Sequence, residues 1–171
     1  MTTALTQTDI AMLRTAIAIA ERSRVHGNHP FGAVLVASDG TVLAEAENTV
    51  VTERDATGHA EANLARIASK KFDRADLRRS TLYTSTEPCA MCSGAIYWTG
   101  IGRVVYALAE TALLALTGNH HDNPTLALPC REVFARGQAP VTVAGPALQD
   151  EAVRPHEGFW ISDPADRGSQ P

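Results

Sequence analysis

Two short motifs, His59-Ala60-Glu61 and Pro88-Cys89-Ala90-Met91-Cys92, constrain this chain more than any other feature. Each lies where a loop passes into a helix. Thr49 to Gly58 is polar and irregular ahead of the first, and Pro88 opens a loop-to-helix junction at the second. One helix and one strand separate them, a span that can fold back and bring both helix starts together. Singly, neither motif is specific. His-x-Glu arises often by chance, and Cys-x-x-Cys serves redox centres, structural metals or plain packing. Only a fold that makes the two motifs neighbours gives the pair a meaning.

The rest of the pattern predicts such a fold. Thr8 or Asp9 caps a first helix carrying Ile10, Leu13 and Ile17 at helical spacing and ending near Gly27. Ala33–Ala37 and Val42–Ala46 flank the turn Ser38-Asp39-Gly40 and read as a β-hairpin. A helix is expected from His59 to Phe72, a strand from Thr81 to Ser85, and a helix from Pro88 to Thr99 that Gly100 ends. Arg103–Ala107 is a fourth strand, and Glu110–Leu116 a helix. Asn119–Pro129 is a loop, Cys130–Arg136 a short helix, and Val141–Ala144 a fifth strand. This alternation implies an α/β fold of three layers, with helices on both faces of one sheet. Residues 1–160 are expected to form one domain, with 161–171 a disordered tail. Phe159 and Trp160 sit just before that tail and need cover from something.

The residue types in the two motifs suit zinc. A catalytic zinc takes three protein ligands and keeps one position for water. His59, Cys89 and Cys92 supply three, and the two-residue gap lets both sulfurs meet one ion from a single helical turn. A helix N-terminus also favours thiolate over thiol. Zinc brings the pKa of a bound water toward about 7, and a carboxylate must then move protons. Glu61 sits in the same first turn as His59 and suits that role; its bland alternative is a favourable acidic residue at a helix start. A structural site would want a fourth ligand, for which Cys130 is the one candidate cysteine. It lies on a different predicted element.

Composition narrows the setting. The chain has 171 residues, a net charge of −4 and three cysteines, with a pI of about 5.8. That balance argues against tight binding to a long polyanion, which needs many Lys and Arg contacts to phosphate. Lys70, Lys71, Arg74, Arg78 and Arg79 read as a solvated helix end and turn. The apolar stretch Ile10–Ala20 is interrupted by Arg14, and Met1–Asp9 carries no export pattern, so a cytoplasmic location and no membrane span are expected. Three cysteines without such a pattern point away from a disulfide framework.

The H-x-E…P-C-x-x-C pattern resembles the zinc deaminases that act on amino-substituted bases. That resemblance covers roughly Ile10 to Gly145 and implies the cytidine deaminase-like fold, a central five-stranded mixed sheet between helices. Pro30-Phe31-Gly32-Ala33, Thr57-Gly58-His59-Ala60-Glu61-Ala62 and Leu82 to Trp98 are similar to the bacterial guanine deaminases and related purine deaminases. The resemblance implies that Asn48 hydrogen-bonds the base, Phe31 lines or stacks on the ring, the Ala60 N–H reads a ring carbonyl, and Trp98 helps wall the pocket. The alternatives are a turn cap for Asn48 and core or dimer contacts for Phe31 and Trp98. Guanine deaminases of this type carry an acidic pair after a Gly, where this chain reads Gly118-Asn119-His120-His121-Asp122. His121 or Asp122, with Phe159 and Trp160, is therefore a candidate substrate loop or simply solvated surface.

The resemblance implies a Zn2+ cofactor, a small nucleobase or nucleoside substrate and a homodimer. Four readings compete: a guanine-type purine deaminase, a cytosine, cytidine or other aminoazine deaminase, a tRNA adenosine deaminase, and a non-catalytic zinc module.

Overall fold

A computed structural model describes residues 4–118 and 120–160. Its elements run α1 (Gln7–Val25), β1 (Gly32–Val36), β2 (Val42–Glu47), α2 (Ala60–Lys71), α3 (Arg74–Arg79), β3 (Thr81–Thr86), α4 (Ala90–Thr99), β4 (Arg103–Leu108), α5 (Glu110–Thr117), α6 (Cys130–Ala135), β5 (Thr142–Ala144) and α7 (Gln149–Val153). A 3-10 turn, Arg154–His156, follows. The expected tail, 161–171, lies outside the described residues. Among those residues no helix is long and apolar enough to cross a membrane.

The five strands form one mixed sheet in the order β2-β1-β3-β4-β5. β1 pairs antiparallel with β2 and β3, whereas β3–β4 and β4–β5 are parallel. This is the expected cytidine deaminase-like arrangement. Alternation along β3 shows how the layers are divided. Leu82 faces a core with Leu64 and Ala68 of α2, Ile96 of α4 and Phe134 of α6. Tyr83 faces the other, with Leu13 and Ile17 of α1 and Ala152 of α7.

α1 lies close against β1. A Cβ on Gly32 would sit 2.5 Å from the Ala16 carbonyl oxygen, so only glycine allows that approach. α4 stops where expected, at Gly100 with φ 89°, a left-handed conformation that glycine adopts freely. Lys70 and Lys71 end α2, and Arg78 and Arg79 end α3, where cations complement the helix dipoles; Arg74 opens α3, and Lys70, Lys71, Arg74 and Arg79 are exposed.

The start of α1 departs from expectation. The cap is Thr6, not Thr8 or Asp9. Its hydroxyl accepts from the Asp9 N–H while the Asp9 carboxylate accepts from the Thr6 N–H. The apolar pattern of α1 begins at Ile10, and the reciprocal box opens one turn ahead of it, at Thr6.

Asp9 does more than close that box. Its carboxylate is buried and accepts from both Arg103 guanidinium nitrogens, at 2.6 and 3.0 Å, and from the Tyr83 hydroxyl at 2.8 Å. Burial alone would raise its pKa. The hydrogen bonds from Arg103, Thr6 and Tyr83 outweigh it and hold the carboxyl well below the usual carboxylate range. The Arg103→Ala variant leaves this buried charge short of its partner, and a loss of about 3 kcal/mol is expected in urea unfolding. A depressed pKa adds stability that is present above the unfolded value near 4 and is lost as pH falls toward the folded value. The stability gap between wild type and variant should therefore narrow below about pH 4.

Candidate active site

The two motifs meet at one side of β3. His59 is the N-cap of α2 and Cys89 the N-cap of α4, both with extended backbone, and neither side chain bonds its own helix end. Both side chains are therefore free to point at a shared partner. His59 Nδ1 lies 3.7 Å from Cys89 Sγ and 3.6 Å from Cys92 Sγ. All three donor atoms lie within 4.8 Å of one another. A tetrahedral zinc, about 2.3 Å from sulfur and 2.0–2.1 Å from nitrogen, sets nitrogen and sulfur about 3.6 Å apart. The donor set matches zinc in both chemistry and spacing. Cys130 is not part of this group. It is buried at the start of α6, and burial together with the nearby Glu87 charge keeps its thiol protonated.

The electrostatics suit a cation. A hydrogen bond from Cys92, with a further one from His59, holds the Cys89 thiol down to about 4 despite burial. Cys92 is pushed up by donating that bond and by burial. The pair thus holds one negative charge next to an imidazole. Glu61 stands in the first turn of α2 and is 5% exposed. Burial pushes its pKa up, against a 2.6 Å hydrogen bond from the Thr84 hydroxyl to its Oε1. His59, Glu61, Cys89 and Phe31 line one cleft of about 210 Å³. It opens past Thr86 and Leu108, the carboxyl ends of the parallel strands β3 and β4, where open α/β sheets place their ligands.

The sequence profile of the cytidine and deoxycytidylate deaminase zinc-binding region matches residues 6–108. The chain belongs to this deaminase family. A Schizosaccharomyces pombe protein named "Probable cytosine deaminase" is 42% identical over 158 residues, 92% of this chain and 96% of its own. Bacillus subtilis guanine deaminase is 49% identical over 82 residues, 48% of this chain and 52% of its own. The solved guanine deaminase from Nitrosomonas europaea superposes with a TM-score of 0.74 at 26% identity, covering 92% of this chain and 86% of that one. The protein is accordingly a zinc-type deaminase, a hydrolase acting on C–N bonds of a nucleobase or nucleoside.

Within this deaminase the other expected residues fall in different places. Phe31 is half-buried on the cleft wall, its ring 5.2 Å from that of His156. Ala60 is fully buried at the first position of α2, where a backbone N–H has no partner within the helix. Asn48 is also buried, but its Oδ1 accepts from the Val50 N–H at 3.0 Å, the turn-cap alternative, and it is not among the lining residues.

Trp98 departs from expectation. It is 76% exposed and outside the cleft. Cys92, Ser93 and Ile96 mark the inward face of α4, and Trp98, two residues past Ile96, is about 200° around the helix from it.

The loop and the C-terminal aromatics meet each other. His121 is exposed, 3.2 Å from Asp122 and stacked on His120, whose ring lies 5.4 Å from that of Trp160. Trp160 is buried, donates to His156 Nδ1 at 3.0 Å and packs against His29, as does Phe159. These aromatics find their cover within their own chain. The cover that Phe159 and Trp160 need is supplied by His29, Phe31 and His156.

Several site residues carry no signal in the sequence. Thr84 orients Glu61 only because β3 turns that position toward α2. Glu87 accepts from the Glu110 and Cys130 N–H groups at 3.3 and 3.1 Å and so fixes where α5 and α6 begin. Glu110 and residues 123–126 complete the cleft.

Replacing Thr84 with valine removes the bond to Glu61 at nearly constant volume. Turnover is expected to fall about tenfold or more with the zinc content unchanged, and Thr84→Ser should restore most of it. Steady-state kinetics with metal analysis checks both. Unchanged turnover in the valine variant would show that Glu61 is held without this hydroxyl.

Proposed function

We propose that this deaminase acts on a guanine-type purine base, exchanging its exocyclic amino group for oxygen with the release of ammonia. The observation that carries deamination is the placement of Glu61, buried in the cleft beside the three metal donors. The purine reading is supported by the backbone likeness to the N. europaea guanine deaminase along nearly the whole chain, and by the motif identity with the B. subtilis enzyme. A second reading, a cytosine-type substrate, is favoured by the full-length identity with the S. pombe protein.

His59, Cys89 and Cys92 would hold the zinc. When bound, zinc supplies a Lewis acid that makes water nucleophilic near neutral pH. The chain's own groups do the rest. Phe31 presents a ring face to the flat substrate. The N–H of Ala60 can donate to a ring carbonyl. Glu61 takes a proton from the attacking water and passes it to the ring nitrogen. A second proton then goes to the amino group, which leaves as ammonia. Overall, one C–N bond is exchanged for a C=O bond and one water is consumed. Thr84 keeps the shuttling carboxyl in one orientation. The 123–126 segment lines the cleft above these groups and helps limit bulk water.

The functional unit in this proposal is a homodimer. The resemblance supports it, as does Trp98 on the outer side of α4, 76% exposed. Light scattering that returns a single-chain mass for active protein would remove this part.

The central test is ammonia release from guanine, adenine, cytosine and their nucleosides. Guanine should be turned over fastest; faster turnover of cytosine would replace the purine reading with the second one. In the same assay Glu61→Ala should keep its zinc and lose about 10²–10⁴-fold in kcat. Undiminished turnover would show that Glu61 is not the proton carrier.

A further inference from the structure

We infer that His120, His121 and Asp122 form a second metal site, separate from the catalytic donors, that takes a divalent transition cation of the Ni2+, Cu2+ and Zn2+ class. The inference goes beyond the deaminase reading and depends neither on the substrate nor on the ion held at His59.

Local folding brings the three side chains together. Consecutive residues of an extended chain point to opposite sides. Here the Asn123 N–H donates to the His120 carbonyl oxygen at 3.1 Å and closes a turn around them. One donor atom from each residue then lies within 4.8 Å of the other two. Each oxygen of the Asp122 carboxylate faces one imidazole. His121 Nε2 is 3.2 Å from Oδ1, and His120 Nδ1 is 4.0 Å from Oδ2. Nitrogen and oxygen on one ion stand about 2.9–3.4 Å apart when the metal bonds are about 2.0–2.2 Å long. The first pair already meets that separation, and a small side-chain rotation closes the second to it.

The rings are placed to serve as ligands. His120 Nδ1 accepts the Asp122 N–H at 3.3 Å, so its lone pair is on the Asp122 side. The His120 ring lies edge-on to buried Trp160, 5.4 Å away, and its side chain is only 10% exposed. His121 stacks on it, and the His121 and Asp122 side chains are 57% and 54% exposed. The group therefore offers one anchored ligand and two that can close on an ion arriving from solvent.

Donor chemistry selects the class of ion. Two imidazoles and a carboxylate suit Ni2+, Cu2+ and Zn2+, whereas Ca2+ and Mg2+ favour shells of oxygen. The group has no thiolate and two of its donors are exposed, so its affinity should fall below that of His59, Cys89 and Cys92. None of its three residues lines the cleft, although the cleft wall resumes at Asn123. His26 supplies the contrast. It is exposed and 2.7 Å from Glu47, but among the described residues it belongs to no such group of three donors.

The test titrates untagged, zinc-loaded protein with Ni2+ by calorimetry and measures both metals after dialysis. Wild type should take up one Ni2+ per chain and release none of its zinc. Even outer partners of a metal site are worth about 10–100-fold in affinity, so His121→Ala and Asp122→Ala, each losing a direct ligand, should weaken Ni2+ binding at least about tenfold. His26→Ala should bind Ni2+ as wild type does. Circular dichroism checks that each variant is folded.

Wild type that binds no Ni2+ beyond its zinc overturns the inference. So does Ni2+ uptake matched by zinc release, which would put the added ion in the catalytic set. Binding that survives in both the His121 and Asp122 variants, or that falls in His26→Ala instead, overturns it as well. A chain that retains no zinc sinks the catalytic donor set alone, because the comparison of Ni2+ binding among the variants remains readable.

Discussion

Everything in this site depends on two helices beginning at the same point in space. α2 and α4 pack on one face of the sheet, and their first residues bring an imidazole nitrogen and two sulfurs within 4.8 Å. No one of these side chains creates the site alone. A hydrogen bond from the Cys92 thiol, with another from the His59 imidazole, favours thiolate at Cys89 despite its burial, in keeping with its place at a helix start. The result is a set of one imidazole nitrogen and two sulfurs whose chemistry and spacing suit a small divalent cation.

The same packing governs the carboxyl beside that set. Glu61 has to be in the first turn of α2 to be near His59, and that turn lies against the buried face of β3. Burial there is costly for a charged group, which shifts Glu61 toward carrying a proton. Thr84 offsets part of that cost with one short hydrogen bond and fixes the orientation of the carboxyl. Burial and a fixed orientation thus come from a single arrangement: the helix supplies the carboxyl, and the strand opposite holds it.

Much of the fold was legible because its signals are local. The hairpin turn, the alternation of strand and helix, and Gly100 at the end of α4 each follow from a few neighbouring residues. The cap at Thr6 was missed because the apolar pattern of α1 begins after its reciprocal hydrogen bonds. The metal donors were legible because both motifs carry their own spacing. Trp98 was misplaced for the opposite reason. Resemblance gave it a role, while the helical rotation from Ile96 turned it outward. Asn48 offers a similar lesson, since its side-chain oxygen is taken by the turn it begins.

Sequence by itself determined which atoms can bind a metal, which carboxyl stands beside them, and where the five strands and the longer helices lie, while the short helices α3 and α7 carried no signal that was legible in it. These follow from residue type and near-neighbour spacing, which the chain carries wherever it goes. Tertiary structure alone decided which unmarked residues join them. Thr86, Glu87 and Glu110 became parts of the cleft, and Thr84 the partner of a carboxyl within it, because β3 and β4 run parallel and end side by side. His156, Phe159 and Trp160 found their cover on His29 and Phe31 through contacts spanning most of the chain. Pairings of that kind depend on how strands are ordered and where loops return, and no local pattern records them.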